Sequence, residues 1–264
     1  MRASLAIVLV VASTLRSGTQ ASRNHSSTPQ ALKGRRSIVY GKLRHGDILK
    51  TPEKFEEDLQ IGVKKEAQGE DSSGREGDHP DVGAATNDLA NVFCQRGEHT
   101  RAQEYYQRSL DAKLKALGPR HSSVGNTLNN MGEVYREQGQ HAKALEHYGK
   151  ALDVKLQALG RDHPSVGNTL NNMGAVYMEQ GQHAKALEYF QWALEARQNS
   201  LGFEHPAVSE TLFNMAGLRK GLGQTQLAQK LFLRCAAIFE AAMGVSHPHT
   251  MLAKREAALL SASM

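Results

Sequence analysis

A unit of 42 residues recurs through most of this chain, and it constrains the fold more than any other feature. Residues 124–132 read Val-Gly-Asn-Thr-Leu-Asn-Asn-Met-Gly and return unchanged at 166–174, and residues 137–146 return unchanged at 179–188. A period between 20 and 50 residues predicts stacked repeats, each in contact only with its neighbours. One histidine and two glycines keep the same phase in each unit: His79, His121, His163, His205, His247; Gly97, Gly139, Gly181, Gly223; Gly118, Gly160, Gly202, Gly244.

Each unit contains two predicted helices. With Gly125 as position 1, apolar or small residues fall at positions 4, 7, 8 and 11, which is the spacing of one helix face. Gly139 at position 15 ends this first helix, and Gly160 at position 36 ends the second. Small residues at positions 8 and 20 predict a close approach of the two helices. The apolar residues of the second helix are Ala144, Tyr148, Ala151 and Leu152.

The pattern resembles the tetratricopeptide repeat, and the 42-residue spacing with Leu-Gly-x-x-His-Pro and Leu-Asn-Asn is similar to the kinesin light chain and nephrocystin-3-like variety. The resemblance covers about residues 79–261. It implies an all-α fold, an α-solenoid that winds as a right-handed superhelix of helix hairpins. The expected hairpins and final solvating helix are 79–118, 119–160, 161–202, 203–244 and 248–261.

In this family the first helices build a concave groove that holds a peptide segment or helix of a partner protein. Side chains at positions 2, 5, 9 and 12 are expected to face it. The asparagines at position 5 are predicted to grip a peptide backbone, because an amide both donates and accepts hydrogen bonds, and Phe213 is predicted to be an apolar anchor. The candidate groove residues are Asn87, Asn91, Asn126, Asn129, Glu133, Arg136, Asn168, Asn171, Met178, Phe213 and Lys220.

Two alternatives stay open at this point. Leu-Asn-Asn can instead serve the repeat's own hydrogen bonding between helices. The whole array can also be a structural or assembly subunit, related to kinesin light chain or ciliary scaffold proteins, without any groove ligand.

Charge and motifs argue against other functions. The net charge is +5, but the first 50 residues hold nine Lys or Arg and one acid, so the basic excess lies outside the repeats. A nucleic-acid partner is therefore not expected. Co-chaperone tetratricopeptide repeats that bind the acidic C-terminal tail of a partner carry basic residues at positions 5 and 9. This chain has no Lys or Arg at either position. No catalytic or metal-binding motif is found, and the histidines 42 residues apart are too distant from one another to share a metal. The sequence predicts no enzyme activity, no metal and no cofactor.

The N-terminus gives conflicting signals about localisation. Residues 1–21 have a charged start, a short apolar run and a small-x-small site, as in a secretory signal peptide. The alternatives are a transit peptide or an error in the gene start. The apolar run itself is too short to span a membrane. Residues 22–78 are predicted to be basic and disordered, with a possible short helix at 52–68. The two cysteines, Cys94 and Cys235, and the repeat type instead favour the cytoplasm.

Overall fold

The computed structural model describes residues 80–262, with side chains from residue 82 onward. The leader, the basic segment and the helix expected at 52–68 lie outside the described residues. Every regular element from residue 80 to 262 is an α-helix. We label the helices α1 (Pro80–Gln95), α2 (His99–Leu117), α3 (Ser122–Glu137), α4 (His141–Leu159), α5 (Pro164–Glu179), α6 (His183–Leu201), α7 (Pro206–Gly221), α8 (Thr225–Met243) and α9 (Pro248–Ser261).

The described residues form two compact units, 80–159 and 160–262. We call them the N-terminal unit (α1–α4) and the C-terminal unit (α5–α9). In the N-terminal unit, the hairpins are α1–α2 and α3–α4, and α2 packs on α3. In the C-terminal unit, the hairpins are α5–α6 and α7–α8, α6 packs on α7, and the last helix, α9, packs on α8. The predicted all-α architecture of stacked helix pairs is confirmed.

Glycines end the helices where the 42-residue pattern predicts. Gly139 has φ 71° and Gly160 has φ 82°. A side chain is strained in this left-handed region, so glycine is favoured there. The amide of Gly139 donates to the Arg136 carbonyl, and that of Gly118 donates to the Leu114 carbonyl, so these residues close the last turns of α3 and α2. The short turns after these glycines bring neighbouring helices side by side.

The two helices of a hairpin approach closely at position 8. A Cβ atom added to Gly132 would lie 2.8 Å from the Tyr148 ring, and one added to Gly174 would lie 2.7 Å from the Phe190 ring. The aromatic residue of the second helix therefore packs against the first helix of its own hairpin. This contact confirms the prediction that a small residue at position 8 permits close packing.

Each unit has its own hydrophobic core running from one hairpin to the next. In the N-terminal unit, Phe93 and Tyr105 of the first hairpin pack together with Met131 and Val134 of α3. In the C-terminal unit, one core extends from Ala175 on α5 to Leu260 on α9. Buried apolar surface therefore continues across hairpin boundaries, as expected of repeats that cannot bury their apolar faces alone.

Candidate functional site

Two of the predicted groove residues, Asn87 and Asn91 on α1, are joined through the amide of Asn130 on α3. The Nδ2 of Asn130 lies 3.4 Å from the Oδ1 of Asn87 and 3.4 Å from the Oδ1 of Asn91. The Thr127 hydroxyl also donates to the Oδ1 of Asn87 at 3.3 Å. Asn87 and Asn91 are therefore held in place by bonds to their oxygens.

A tyrosine hydroxyl fixes the side chain at position 9 in both hairpins of this unit. Tyr106 donates to the Oδ1 of Asn91 at 2.5 Å, and Tyr148 donates to the Oε2 of Glu133 at 2.7 Å. In the C-terminal unit, Ala175 and Gly217 stand at position 9 and phenylalanines replace both tyrosines. Position 9 is consequently polar in the N-terminal unit and carries only a small residue in the C-terminal unit.

The central asparagines of Leu-Asn-Asn are more buried than expected for a groove surface. Asn129 is 5% exposed and Asn171 is 4% exposed. The Nδ2 of Asn214 donates to the Oδ1 of Asn171 at 3.1 Å. These contacts match the alternative interpretation, in which Leu-Asn-Asn bonds neighbouring first helices. Asn87 is only half-buried, so it differs from its two counterparts.

The remaining neutral candidates divide into exposed and buried positions. Asn126 and Asn168 are exposed, and the Oδ1 of Asn168 accepts from Arg197 at 2.7 Å. Met178 is buried. Phe213 is 1% exposed and packs edge-on against Phe232, with ring centroids 5.0 Å apart. In this conformation the Phe213 ring is part of the packing between α7 and α8 and offers a ligand almost no exposed area, and its anchor role stays a prediction.

The charged candidates are paired inside the protein. Arg136 forms an ion pair with Glu133 on α3. Lys220 on α7 forms one with Glu256 on α9 at 2.6 Å. Each charged candidate therefore has a partner of opposite charge within its own unit.

A buried cation at position 31 lies between consecutive hairpins, and the sequence did not reveal it. Arg197 on α6 donates to the Thr211 hydroxyl of α7 at 2.8 Å and pairs with Glu210 at 3.0 Å. Lys113 on α2 donates to the Thr127 hydroxyl of α3 at 2.7 Å. Burial lowers the pKa of Lys113 to about 8, and the nearby Asp88 carboxylate opposes that shift. Lys155 occupies the same repeat position and is buried as well.

A glycine makes room for each of these long side chains. A Cβ atom on Gly83 would lie 2.8 Å from the Cγ of Lys113, and one on Gly167 would lie 2.9 Å from the Cγ of Arg197. The glycine at position 1 and the Lys or Arg at position 31 can both be read from the sequence. Only the fold shows that they touch.

The histidines that mark the 42-residue period cap helices. The Nδ1 atoms of His121, His163, His205 and His247 each accept from the backbone N–H two residues later, at 3.1 to 3.4 Å. This bond satisfies an amide that the first turn of a helix leaves unpaired. His99, His141 and His183 are the first residues of α2, α4 and α6.

One set of possible metal ligands comes together in the N-terminal unit. Cys94, His99 and Glu137 place a sulfur, a ring nitrogen and a carboxylate oxygen within 4.8 Å of one another. These residues come from α1, α2 and α3. Sequence reasoning missed them because their spacing matches no linear motif and because only the fold joins the three helices.

The helices of residues 80–262 include none with the length and hydrophobicity needed to cross a bilayer.

Comparison with known proteins gives a family match and several similar folds. The tetratricopeptide repeat family model matches residues 81–157, 123–199 and 165–241. No curated protein matches the sequence. Three solved structures illustrate the similarity of fold, and all are under 25% identical in sequence.

The first is BtubC (BKLC) from P. vanneervenii, with a TM-score of 0.63 at 19% identity, covering 93% of this chain and 92% of that chain. The second contains the nearly identical TPR-like repeats of a candidate kinesin light chain from Podosopora anserina, with a TM-score of 0.57 at 23% identity, covering 75% and 90%. The third is a Rap protein complexed with Competence and Sporulation Factor, with a TM-score of 0.60 at 16% identity, covering 88% and 62%.

Proposed function

This chain belongs to the tetratricopeptide repeat family, and we propose that it is a non-enzymatic interaction scaffold that binds an extended peptide segment of a partner protein along its first helices. The peptide is held mainly through its backbone, and the primary contacts lie on α1 and α3. The Rap protein complexed with Competence and Sporulation Factor supports this proposal, because a similar fold there binds another molecule.

The orientation of Asn87 and Asn91 is the observation on which this proposal depends. Bonds from Thr127, Asn130 and Tyr106 occupy their Oδ1 atoms. Within the described part of the chain, their Nδ2 groups have no hydrogen-bond partner. Two amide donors with fixed orientation are therefore available to the carbonyl groups of a ligand.

The spacing of these donors suits an extended backbone. Residues four apart on a helix are separated by about 6 Å along its axis. Carbonyls on the same side of an extended strand recur every second residue, or about 6.6–6.8 Å. Asn87 and Asn91 can therefore contact alternate carbonyls of one peptide without requiring a particular side chain.

The paired charges indicate which partners fit this face. On α3, Arg136 is in an ion pair with Glu133 of the same helix. A highly acidic peptide or a nucleic acid would have to compete with Glu133 for this cation. The preferred ligand is therefore a peptide segment with little net charge.

Site-directed photo-crosslinking tests where the partner binds. A photoreactive residue at Ala84, which is exposed on α1, should give adducts with a protein partner in cells. The same residue at Gln107, exposed on α2, is the matched control and should give few adducts. Adducts mainly from Gln107 would instead support a structural subunit that uses its second helices.

Two further variants test the amide grip once the crosslinked segment is known. The double variant Asn87→Ala/Asn91→Ala should weaken binding of a synthetic peptide about 10-fold, as expected for two neutral hydrogen bonds. Tyr106→Phe keeps the ring and removes the hydroxyl that orients Asn91, so it should cause a smaller loss. Gln107→Ala is the control. Unchanged peptide affinity in a folded double variant would refute the proposed grip.

A further inference from the structure

Three side chains at one end of the first hairpin have the chemistry and spacing of a metal site. Cys94 lies near the end of α1, His99 is the first residue of α2 and Glu137 is the last residue of α3. We propose that Cys94, His99 and Glu137 bind one Zn²⁺ ion, which joins the first hairpin to the second.

Two of the three distances between the ligand atoms are close to those of tetrahedral zinc, and the third, from the Cys94 sulfur to the His99 nitrogen, is no more than 4.8 Å. The Cys94 Sγ lies 3.2 Å from the Glu137 Oε2, and the His99 Nδ1 lies 3.7 Å from the same oxygen. Zinc bonds of about 2.3 Å to sulfur and about 2.0 Å to nitrogen or oxygen place tetrahedral ligand atoms about 3.3–3.5 Å apart. Small side-chain adjustments are therefore enough to enclose the ion.

The histidine places a ring nitrogen beside the cysteine and the glutamate. Its Nδ1 atom is buried and makes no hydrogen bond within residues 82–262. A buried polar atom without a hydrogen bond is costly, and a metal bond would satisfy it. The distance of 3.7 Å to Glu137 is too long for a hydrogen bond.

The donor set favours zinc over harder cations. A thiolate and an imidazole suit a borderline-soft ion, whereas magnesium and calcium prefer oxygen ligands alone. In the metal-free state the Cys94 thiol donates to Glu137. On binding, the sulfur–hydrogen bond is replaced by a sulfur–zinc bond, and the proton passes to solvent. Glu137 is exposed, so water is available as the fourth ligand.

Among the described residues, this ligand set occurs where the first hairpin meets the second and is not repeated in the later hairpins. His141 and His183 occupy the positions equivalent to His99, but Arg136 and Met178 replace the cysteine in those repeats. Cys94, His99 and Glu137 are the sole cluster of this kind in the part of the chain that the structure describes. Since the three ligands come from α1, α2 and α3, zinc would stabilise the α1–α2 hairpin against separation from the hairpin that follows it.

Calorimetric titration of the reduced, full-length chain with zinc chloride tests this inference. We expect one zinc bound per chain in the wild type, and at least 10-fold weaker binding in Cys94→Ser and in His99→Ala. His183→Ala is the matched control for the histidine, and Cys235→Ala is the control for the cysteine. Both controls should bind as the wild type does.

Cobalt(II) provides a spectroscopic readout of the sulfur ligand. The wild type with cobalt should show a thiolate-to-cobalt charge-transfer band, which Cys94→Ser should abolish and Cys235→Ala should retain. Glu137→Gln, at an exposed position, provides a third ligand variant that keeps the shape of the side chain. Absence of zinc binding by the wild type, or unchanged binding by folded Cys94→Ser and His99→Ala variants, would overturn the proposal.

Discussion

Arg197 and Thr211 are joined by a buried hydrogen bond of 2.8 Å between the second helix of one hairpin and the first helix of the next. Lys113 and Thr127 form the corresponding bond of 2.7 Å two repeats nearer the N-terminus. A cation at the same repeat position therefore connects hairpins within each unit. Because charged groups are costly to bury, their partners decide whether these contacts stabilise or destabilise the fold.

Replacing Arg197 by alanine should destabilise the protein strongly. The substitution leaves Glu210 and Asn168 without the guanidinium that they contact. Removing one partner of a buried ion pair costs about 3 kcal/mol or more, and we expect a loss of that size in urea denaturation. Arg197→Lys should lose less, since a lysine fills this slot in earlier repeats.

An exposed ion pair supplies the control for Arg197. Arg161 pairs with Glu195 at 3.5 Å, and the Arg161 side chain is 71% exposed. Arg161→Ala should change the free energy of unfolding by about 0.5 kcal/mol or less. Equal losses in the two alanine variants would show that the buried cation is not a specific stabilising contact.

Lys113 should make stability depend on alkaline pH. Its pKa is about 8 in the folded chain and 10.5 as an ordinary lysine. As pH rises from 8 to 10.5, the folded state loses this proton while the unfolded state keeps it, so the free energy of unfolding should increase. Below pH 8 both states are protonated and the full cost of burying the charge remains. Allowing for screening of the charge by nearby solvent, we expect a gain of about 1–2 kcal/mol across this window.

The Lys113→Met variant isolates this contribution. Denaturant unfolding of the wild type and the variant at several pH values from 7 to 11 should show the increase only in the wild type. Lys230→Met removes an exposed lysine and should keep the wild-type pH profile. A parallel profile in wild type and Lys113→Met would contradict the assigned cause.

The helical repeats could be predicted from sequence because local rules determine them. Gly139 and Gly160 are required by left-handed backbone angles, and Pro164 and Pro206 begin helices because a missing amide donor costs nothing there. These signals act within a few residues of the chain. They recur in each unit, so one reliable unit supports the interpretation of the others.

The candidate binding face was less predictable, because the same residue at the same repeat position can be buried in one repeat and partly exposed in another. Asn87 and Asn171 occupy the same repeat position, but only Asn171 is almost fully buried. The difference depends on contacts from neighbouring helices, such as the bond from Asn214 to Asn171. The ligand set at Cys94 and the buried charge at Lys113 likewise arise only when three helices come together.

The capping histidines should stabilise the fold by accepting a backbone hydrogen bond at a helix N-terminus. Another side chain that accepts the same hydrogen bond should be able to replace them. His163→Ala removes the acceptor for the Ser165 amide, which lies 3.1 Å from the ring nitrogen, and should cost about 1 kcal/mol. His163→Asp retains an acceptor and adds a negative charge at the helix N-terminus, so it should recover that loss. Thermal and urea unfolding would measure both changes. His183→Ala is the control because α6 has no side-chain cap; a loss in this control equal to that of His163→Ala would argue against capping.

The two cysteines should react with a thiol reagent at very different rates. Cys235 is fully buried, and burial raises the pKa of its thiol, so little nucleophilic thiolate forms. Cys94 is only half-buried. We expect the native, metal-free protein to show one fast-reacting thiol with a disulfide-exchange reagent, and the second to react only after denaturant is added. Cys94→Ser should abolish the fast phase, Cys235→Ala should keep it, and saturating zinc should slow it in the wild type. A fast phase that persists in Cys94→Ser would show that Cys235 is accessible through opening of the C-terminal unit, contrary to the packing of its core.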